Sequence, residues 1–430
     1  YASSRNGVTL WAPCGTGKTL AGIAASVQGL TCVQGVRVDN NNNVPVGNIV
    51  WVTRSASRYG HAREIGSWLK VKDANGSPLV TVNVIEGQTE QKFTALPGVN
   101  FWILSWEILP FHVENLIRDL KLSGSSASSV VVFDEIHKAK NASRFKAVPD
   151  EETGKLTFKL KDNISGSAYL LSRHCQRRIG LTATALKDRV KDLYAQLDLI
   201  EPGEWGTREQ WMIRYADRHT NIYGGIDDRG YSNLEELNKR LSLSVINIPA
   251  SVARAQLPPL RRAFTTVPES IQSNLNQRLE ARETAGLGEF EAKLAVAAAR
   301  KKDTVFELIK ERLEASDNVN VVRLTVFVGR RAVATRWATD LRASSLDINV
   351  EVVTGDLTGS ERDKVLQRYV NASKSTVLIC TADSMGEAID GLQCSDAAYF
   401  AFLPYTPGQL EQWEGRFDRI GMRPGMIITY

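Results

Sequence analysis

Residues Ser129–Asn141 read SVVVFDEIHKAKN. An apolar, β-branched run feeds directly into two adjacent carboxylates, Asp134 and Glu135. A short continuous apolar run of this kind is the signature of a strand buried on both faces of a sheet. In open α/β sheets, the active groups sit at the carboxyl ends of such strands. Burying acids without a task is costly, because unpaired charges resist desolvation. Adjacent carboxylates have a division of labour at a Mg²⁺–ATP site: Asp134 would hold the metal's coordination sphere, and Glu135 would orient or deprotonate the attacking water. The alternative is an exposed helix start with acids near its positive end. The apolar run leading into the pair speaks against it.

Upstream, Leu10–Ser26 reads LWAPCGTGKTLAGIAAS. Small residues at Gly15, Thr16 and Gly17 let backbone N–H groups turn toward an anion, Lys18 reaches the outer phosphates, and the Thr19 hydroxyl can ligate Mg²⁺. A tight strand-to-helix turn is the alternative, for which glycine alone would suffice. The first glycine of the usual motif is Ala12 here, giving A-x-x-G-x-G-K-T.

Further strands are expected at Ile49–Thr53, Phe101–Leu104 and Arg178–Ala183, alternating with helix-like segments. That alternation is the pattern of a parallel sheet covered by helices. Asp39–Asn43 is loop by composition, and Glu151–Lys161, EETGKLTFKLK, reads as a small inserted hairpin with a turn at Thr153–Gly154. After a Trp-, Gly- and Pro-rich stretch and a charged, helix-like one, alternation resumes at Leu324–Val328, Asn349–Val353, Thr376–Cys380, Ala397–Phe402 and Met426–Thr429. The fold class expected is α/β: two similar lobes, residues 1–200 and 319–430, each a parallel sheet flanked by helices, with a helical insertion and linker over 201–318.

With 430 residues, 43% hydrophobic and 23% charged, the chain has the composition of a globular protein of two or three domains. The net charge of +5 permits a polyanionic partner without demanding one. No apolar run is long enough to span a membrane, and no signal-peptide pattern precedes the first motif. The five cysteines lack zinc-type spacing and read as reduced thiols of an intracellular protein. A first residue Tyr1 and a closing apolar run ending at Tyr430 suggest a piece of a longer protein.

Near the end, EQWEGRFDRIG contains Q-x-x-G-R-x-x-R as Gln412, Gly415, Arg416 and Arg419. A spacing of three puts both arginines on one helix face, from which they can point at a γ-phosphate. An arginine supplied across a cleft is worth about 10³–10⁵ in phosphoryl-transfer rate.

Together, A-x-x-G-x-G-K-T, D-E-I-H and Q-x-x-G-R-x-x-R resemble the superfamily-two helicases and translocases, a fold of two RecA-like lobes. DEIHKAKN, with LTATALKDRVKDLYAQLDLIEP and FLPYTPGQLEQWEGRFDRIGM, is similar to the Swi/Snf-type DNA-dependent ATPases, with the annealing-helicase and strawberry-notch-like branches both matching. The resemblance implies ATP and Mg²⁺ held by Gly15, Thr16, Gly17, Lys18, Thr19 and Asp134, the last two as metal ligands. It implies catalysis by Glu135, Arg416 and Arg419, and coupling of ATP state to DNA grip by His137, Thr182, Thr184 and Gln412. Thr53, Ser105, Trp106, Thr354, Gly355, Thr381 and Gly386 lie in stretches that face the nucleic-acid backbone in the family. Departures are Ile246–Asn247 in place of an arginine pair, TATA at Thr182–Ala185, and Met422 in place of glutamine.

The function expected is a monomeric ATP-driven motor on nucleic acid, with double-stranded DNA favoured. The alternatives are a strand-separating DNA or RNA helicase and a nucleotide-gated scaffold with vestigial turnover. A prokaryotic or phage-infected cell is the favoured setting, with a nucleus as the alternative.

Overall fold

The apolar runs become strands whose alternate residues feed two separate cores. The structure, a computed structural model, describes residues 6–13, 15–31, 47–72, 75–122, 129–139, 145–149, 156–160, 163–183, 189–221, 223–249, 251–252, 255, 257–266, 289–316, 321–381, 384, 391–404, 407–419 and 421–430. The chain divides into two compact units, Tyr1–Arg254 and Ala255–Tyr430.

In the first unit the elements run β1 (Gly7–Trp11), α1 (Lys18–Thr31), β2 (Gly47–Thr53), α2 (Arg58–Trp68), β3 (Val80–Val84), β4 (Val99–Ser105), α3 (Leu109–Asp119), β5 (Ser129–Asp134), β6 (Phe145–Pro149), β7 (Leu156–Leu160), α4 (Ile164–His174), β8 (Arg177–Thr182), α5 (Lys191–Ile200), α6 (Arg208–Tyr215), β9 (His219–Thr220), β10 (Ile226–Asp227), α7 (Leu234–Leu241) and β11 (Val245–Asn247). Seven strands form one sheet in the order β11-β1-β8-β5-β2-β4-β3. Every pairing in it is parallel. Successive side chains of a strand point to opposite faces. Thus Val130 and Val132 of β5 join Ile49 and Trp51 of β2 in one core, while Val131 and Phe133 join Val50 and Val52 in the other. The register sets Asp134 opposite Leu181 and Val52 opposite Phe133, bringing the ends of β2, β5 and β8 side by side.

The inserted hairpin is present, but its arms are β6 and β7, paired antiparallel with Phe145 opposite Leu160. The expected turn at Thr153–Gly154 lies outside the described residues, as does the Asp39–Asn43 loop.

The described residues of 201–249 pack within the first unit. Trp205, Trp211, Tyr215, Leu237 and Leu241 form one cluster with Leu193, Tyr194 and Leu197 of α5, and β11 extends the sheet beside β1.

The second unit contains β12 (Arg261–Ala263), α8 (Glu289–Glu314), β13 (Arg323–Val328), α9 (Arg331–Ala343), β14 (Asn349–Val353), α10 (Gly359–Val370), β15 (Thr376–Thr381), β16 (Ala397–Phe400), α11 (Pro407–Glu414) and β17 (Ile427–Thr429). Its six-stranded sheet has the order β12-β17-β16-β13-β15-β14, again with parallel pairings throughout. Val305 and Ile309 of α8 are buried against Leu324, Val326 and Trp337. The stretch read from sequence as a separate middle segment is therefore shared between the two units.

Candidate active site

The first cluster begins where β1 ends. The Ala12 N–H donates to the Thr182 carbonyl at 3.1 Å, tying the loop to the end of β8. Gly15 and Gly17 both have φ of 78°, a left-handed conformation that side chains resist. A Cβ at Gly17 would meet nothing within 4 Å, so the loop borders open space, as an anion cradle requires. α1 then starts at Lys18 with no acidic residue in its first turn, leaving its N-terminal N–H groups and dipole available to an anion. Lys18 Nζ donates to the Ala12 and Pro13 carbonyls, each at 2.7 Å, and the Thr16 hydroxyl donates to Pro13 O at 2.9 Å.

The second cluster stands two strands away, where β5 ends. Asp134 Oδ2 accepts from the Thr53 hydroxyl at 2.7 Å and lies 3.0 Å from His61 Nε2. The indole N–H of Trp106, stacked on Phe133, donates to Asp134 O at 2.9 Å. Among the described residues, Asp134 Oδ1 and the Thr19 hydroxyl carry no hydrogen bond. Both are hard oxygen donors, the type Mg²⁺ takes through one or two protein ligands and substrate phosphates. The residues present therefore fit the ion.

Glu135 is one of four non-glycine residues with positive φ, at 54° among the described residues. Such strain, of order 1–3 kcal/mol, persists where the surroundings over-determine it. Here they do. Glu135 Oε2 lies 3.1 Å from His137 Nδ1 and accepts from Thr182 Oγ1 at 3.4 Å, while Oε1 lies 3.8 Å from Arg54. His137 Nδ1 is also 3.0 Å from Thr182 Oγ1. Burial pushes the Glu135 carboxyl up. The hydrogen bond from His137 and the charges of Arg54, His137 and Lys18 outweigh that and bring it down to about 2. The carboxylate is thus held ionised, a hydrogen-bond acceptor for any water beside it.

Glu135, His137 and Thr182 lie within hydrogen-bonding reach of one another. Thr184 and Gly386 lie outside the described residues. Thr53, Ser105 and Trp106 are buried, and Thr53 and Trp106 hold Asp134 rather than lining a surface. Thr354 and Thr381 are likewise buried, at the ends of β14 and β15. A Cβ at Gly355 would meet nothing within 4 Å, so that turn is open.

The arginine segment departs from the expected continuous helix. α11 ends at Glu414, and the chain proceeds through turns in which Arg416 N bonds Trp413 O and Met422 N bonds Arg419 O. Helical pitch therefore does not set the relation of the two arginines. Arg416 is buried, Arg419 is half-buried with Nε on Gly415 O at 3.2 Å, and Gln412 is half-buried in α11. Sequence reasoning missed Arg54 and His61. Both follow the carboxyl end of β2, and searching that strand end as well as those of β1 and β5 would have found them.

The helicase conserved C-terminal domain family matches residues 301–421. Over 398 residues the chain is 24% identical to the DNA annealing helicase and endonuclease ZRANB3 of Mus musculus, covering 88% of this chain and 34% of that protein. Over 355 residues it is 26% identical to the SWI/SNF-related matrix-associated actin-dependent regulator of chromatin subfamily A-like protein 1 of Xenopus tropicalis, covering 79% of this chain and 36% of the relative. The chain thus spans about a third of the length of these relatives. A variant of S. cerevisiae Dbp5 bound to Gle1 and IP6 shares the fold, with a TM-score of 0.55, 14% identity and coverage of 99% of this chain and 78% of that one. With two parallel-sheet lobes and these relatives, the chain is similar to the Swi/Snf-type superfamily-two ATPases.

Proposed function

We propose that this chain is the core of an ATP-driven motor that tracks double-stranded DNA, of the translocase or annealing-helicase kind. The observation that carries the reading is the ionised Glu135, fixed by His137, Thr182 and Arg54 one residue past Asp134, on the sheet edge that also ends in the Lys18 loop. ATP would be the substrate, its phosphates taken by the Gly15–Thr19 backbone and by Lys18, which would leave the Ala12 and Pro13 carbonyls. Thr19 and Asp134 would hold Mg²⁺, which when bound neutralises charge on the phosphates. Glu135 would orient the attacking water. Arg416 and Arg419 would stabilise the transition state, and their engagement and release would drive stepping along the nucleic-acid backbone. Phosphate contacts position without reading sequence, which suits such a motor. The reading is supported by the annealing-helicase relatives and does not require a membrane: no helix among the described residues is long and apolar enough to cross one.

The deciding experiment measures ATP turnover in parallel with no nucleic acid, single-stranded DNA, duplex DNA and RNA. Stimulation greatest with duplex DNA is expected. Stimulation by RNA alone would favour an RNA helicase, and a basal rate indifferent to every nucleic acid would favour a nucleotide-gated scaffold.

A further inference from the structure

We infer that His61 and Thr53 form a clamp on Asp134 that presents a single carboxylate oxygen to the divalent cation, making both of them positioning residues. This rests on the reading of Asp134 as the cation-facing acid. A carboxylate torsion is broad and roughly two-fold, so an unheld aspartate presents either oxygen. Here both donors converge on one of them: the Thr53 hydroxyl at 2.7 Å and His61 Nε2 at 3.0 Å both meet Oδ2, and they lie 3.1 Å from each other. The backbone oxygen of the same residue is held by Trp106. Oδ1 is left with no hydrogen bond among the described residues.

Each donor is itself fixed. Thr53 closes β2, whose Val52 lies opposite Phe133, so its hydroxyl stands beside Asp134 across one strand spacing. His61 reaches in from α2, its ring 5.4 Å from that of Trp51, and both Thr53 and His61 are buried. Three elements, β2, α2 and β5, therefore set one torsion angle. The Nε2–H tautomer is the one that donates. Carboxylate ligands held by outer partners typically lose 10–100-fold in metal affinity when a partner is removed.

The test titrates Mg²⁺ against binding of a fluorescent ATP analogue to the full chain, alongside binding of the same analogue in EDTA. His61→Phe and Thr53→Val should each raise the half-saturating Mg²⁺ concentration by about 10–100-fold while leaving binding in EDTA unchanged. His61→Gln, which retains a donor, should restore most of the loss. A merely structural role would weaken both kinds of binding together. Folded variants with an unchanged Mg²⁺ requirement, or with equal losses in EDTA, would overturn the clamp. If His61→Phe fails to fold, the smaller change in Thr53→Val carries the test. A wild-type chain whose nucleotide binding ignores Mg²⁺ would overturn the ATP-site reading along with the clamp.

Discussion

Replacing Glu135 with glutamine keeps the side chain's size and the positive φ, removes its charge and turns one acceptor oxygen into an amide donor. The cost can be worked from its surroundings. Holding the carboxyl at about 2 instead of the ordinary 4.5 corresponds to an upper bound of roughly 3 kcal/mol of folded-state stabilisation. The side chain is 21% exposed, so screening leaves that bound standing rather than reducing it to a surface pair's value. The folded value is depressed, so the contribution is present in full above the unfolded value and is lost as pH falls from about 4.5 through about 2. The charges facing Glu135 are Arg54, His137 and Lys18, all able to favour the anion. Urea unfolding followed by tryptophan fluorescence reports mainly the first unit, which holds seven of the nine tryptophans. At pH 7, Glu135→Gln should unfold earlier than wild type by up to roughly 3 kcal/mol, and the gap should close as pH approaches 2. The same variant should bind nucleotide and fail to hydrolyse it. A variant as stable as wild type at pH 7, or a gap that does not change with pH, would refute the electrostatic argument.

Gly7→Ala would place a Cβ 2.1 Å from the Ile200 carbonyl oxygen, a backbone clash that should lower the first unit's stability by about 3 kcal/mol in the same unfolding assay. Arg262→Leu would strip buried Glu414 of its bidentate partner, at 2.8 and 2.7 Å. Because the Arg262 side chain is 41% exposed, the loss should be on the order of 2 kcal/mol, seen as a lower unfolding midpoint of the second unit. Burial pushes the Cys175 thiol up to about 12 and raises that of Cys380 as well. Timed labelling with a thiol reagent should find both inert until the chain unfolds.

The central strands were legible because burial on both faces writes itself as an uninterrupted apolar run, as in Val130–Phe133 and Ile49–Val52. β11 and β12 were not, because each is three residues long and lies at a sheet edge, with Ile246, Asn247, Arg261 and Arg262 exposed. In the site, Asp134, Glu135 and Lys18 were legible from local spacing. His61 was not, since its bond to Asp134 spans 73 positions and exists only once α2 has packed. Thr53 and Trp106 show the converse: a motif letter marks a position without saying whether its side chain faces a groove or the core. The turn after Glu414 shows that a spacing of three need not be helical pitch.

The proposed ATP-driven motor is tested most directly at Arg416. The experiment measures duplex-DNA-stimulated ATP turnover and ATP affinity on the same preparations of wild type and Arg416→Ala. Turnover should fall by about 10³-fold or more while affinity for ATP, which the proposal assigns to the Lys18 loop, stays near wild type. Stimulated turnover that survives the loss of the Arg416 guanidinium would contradict the proposal.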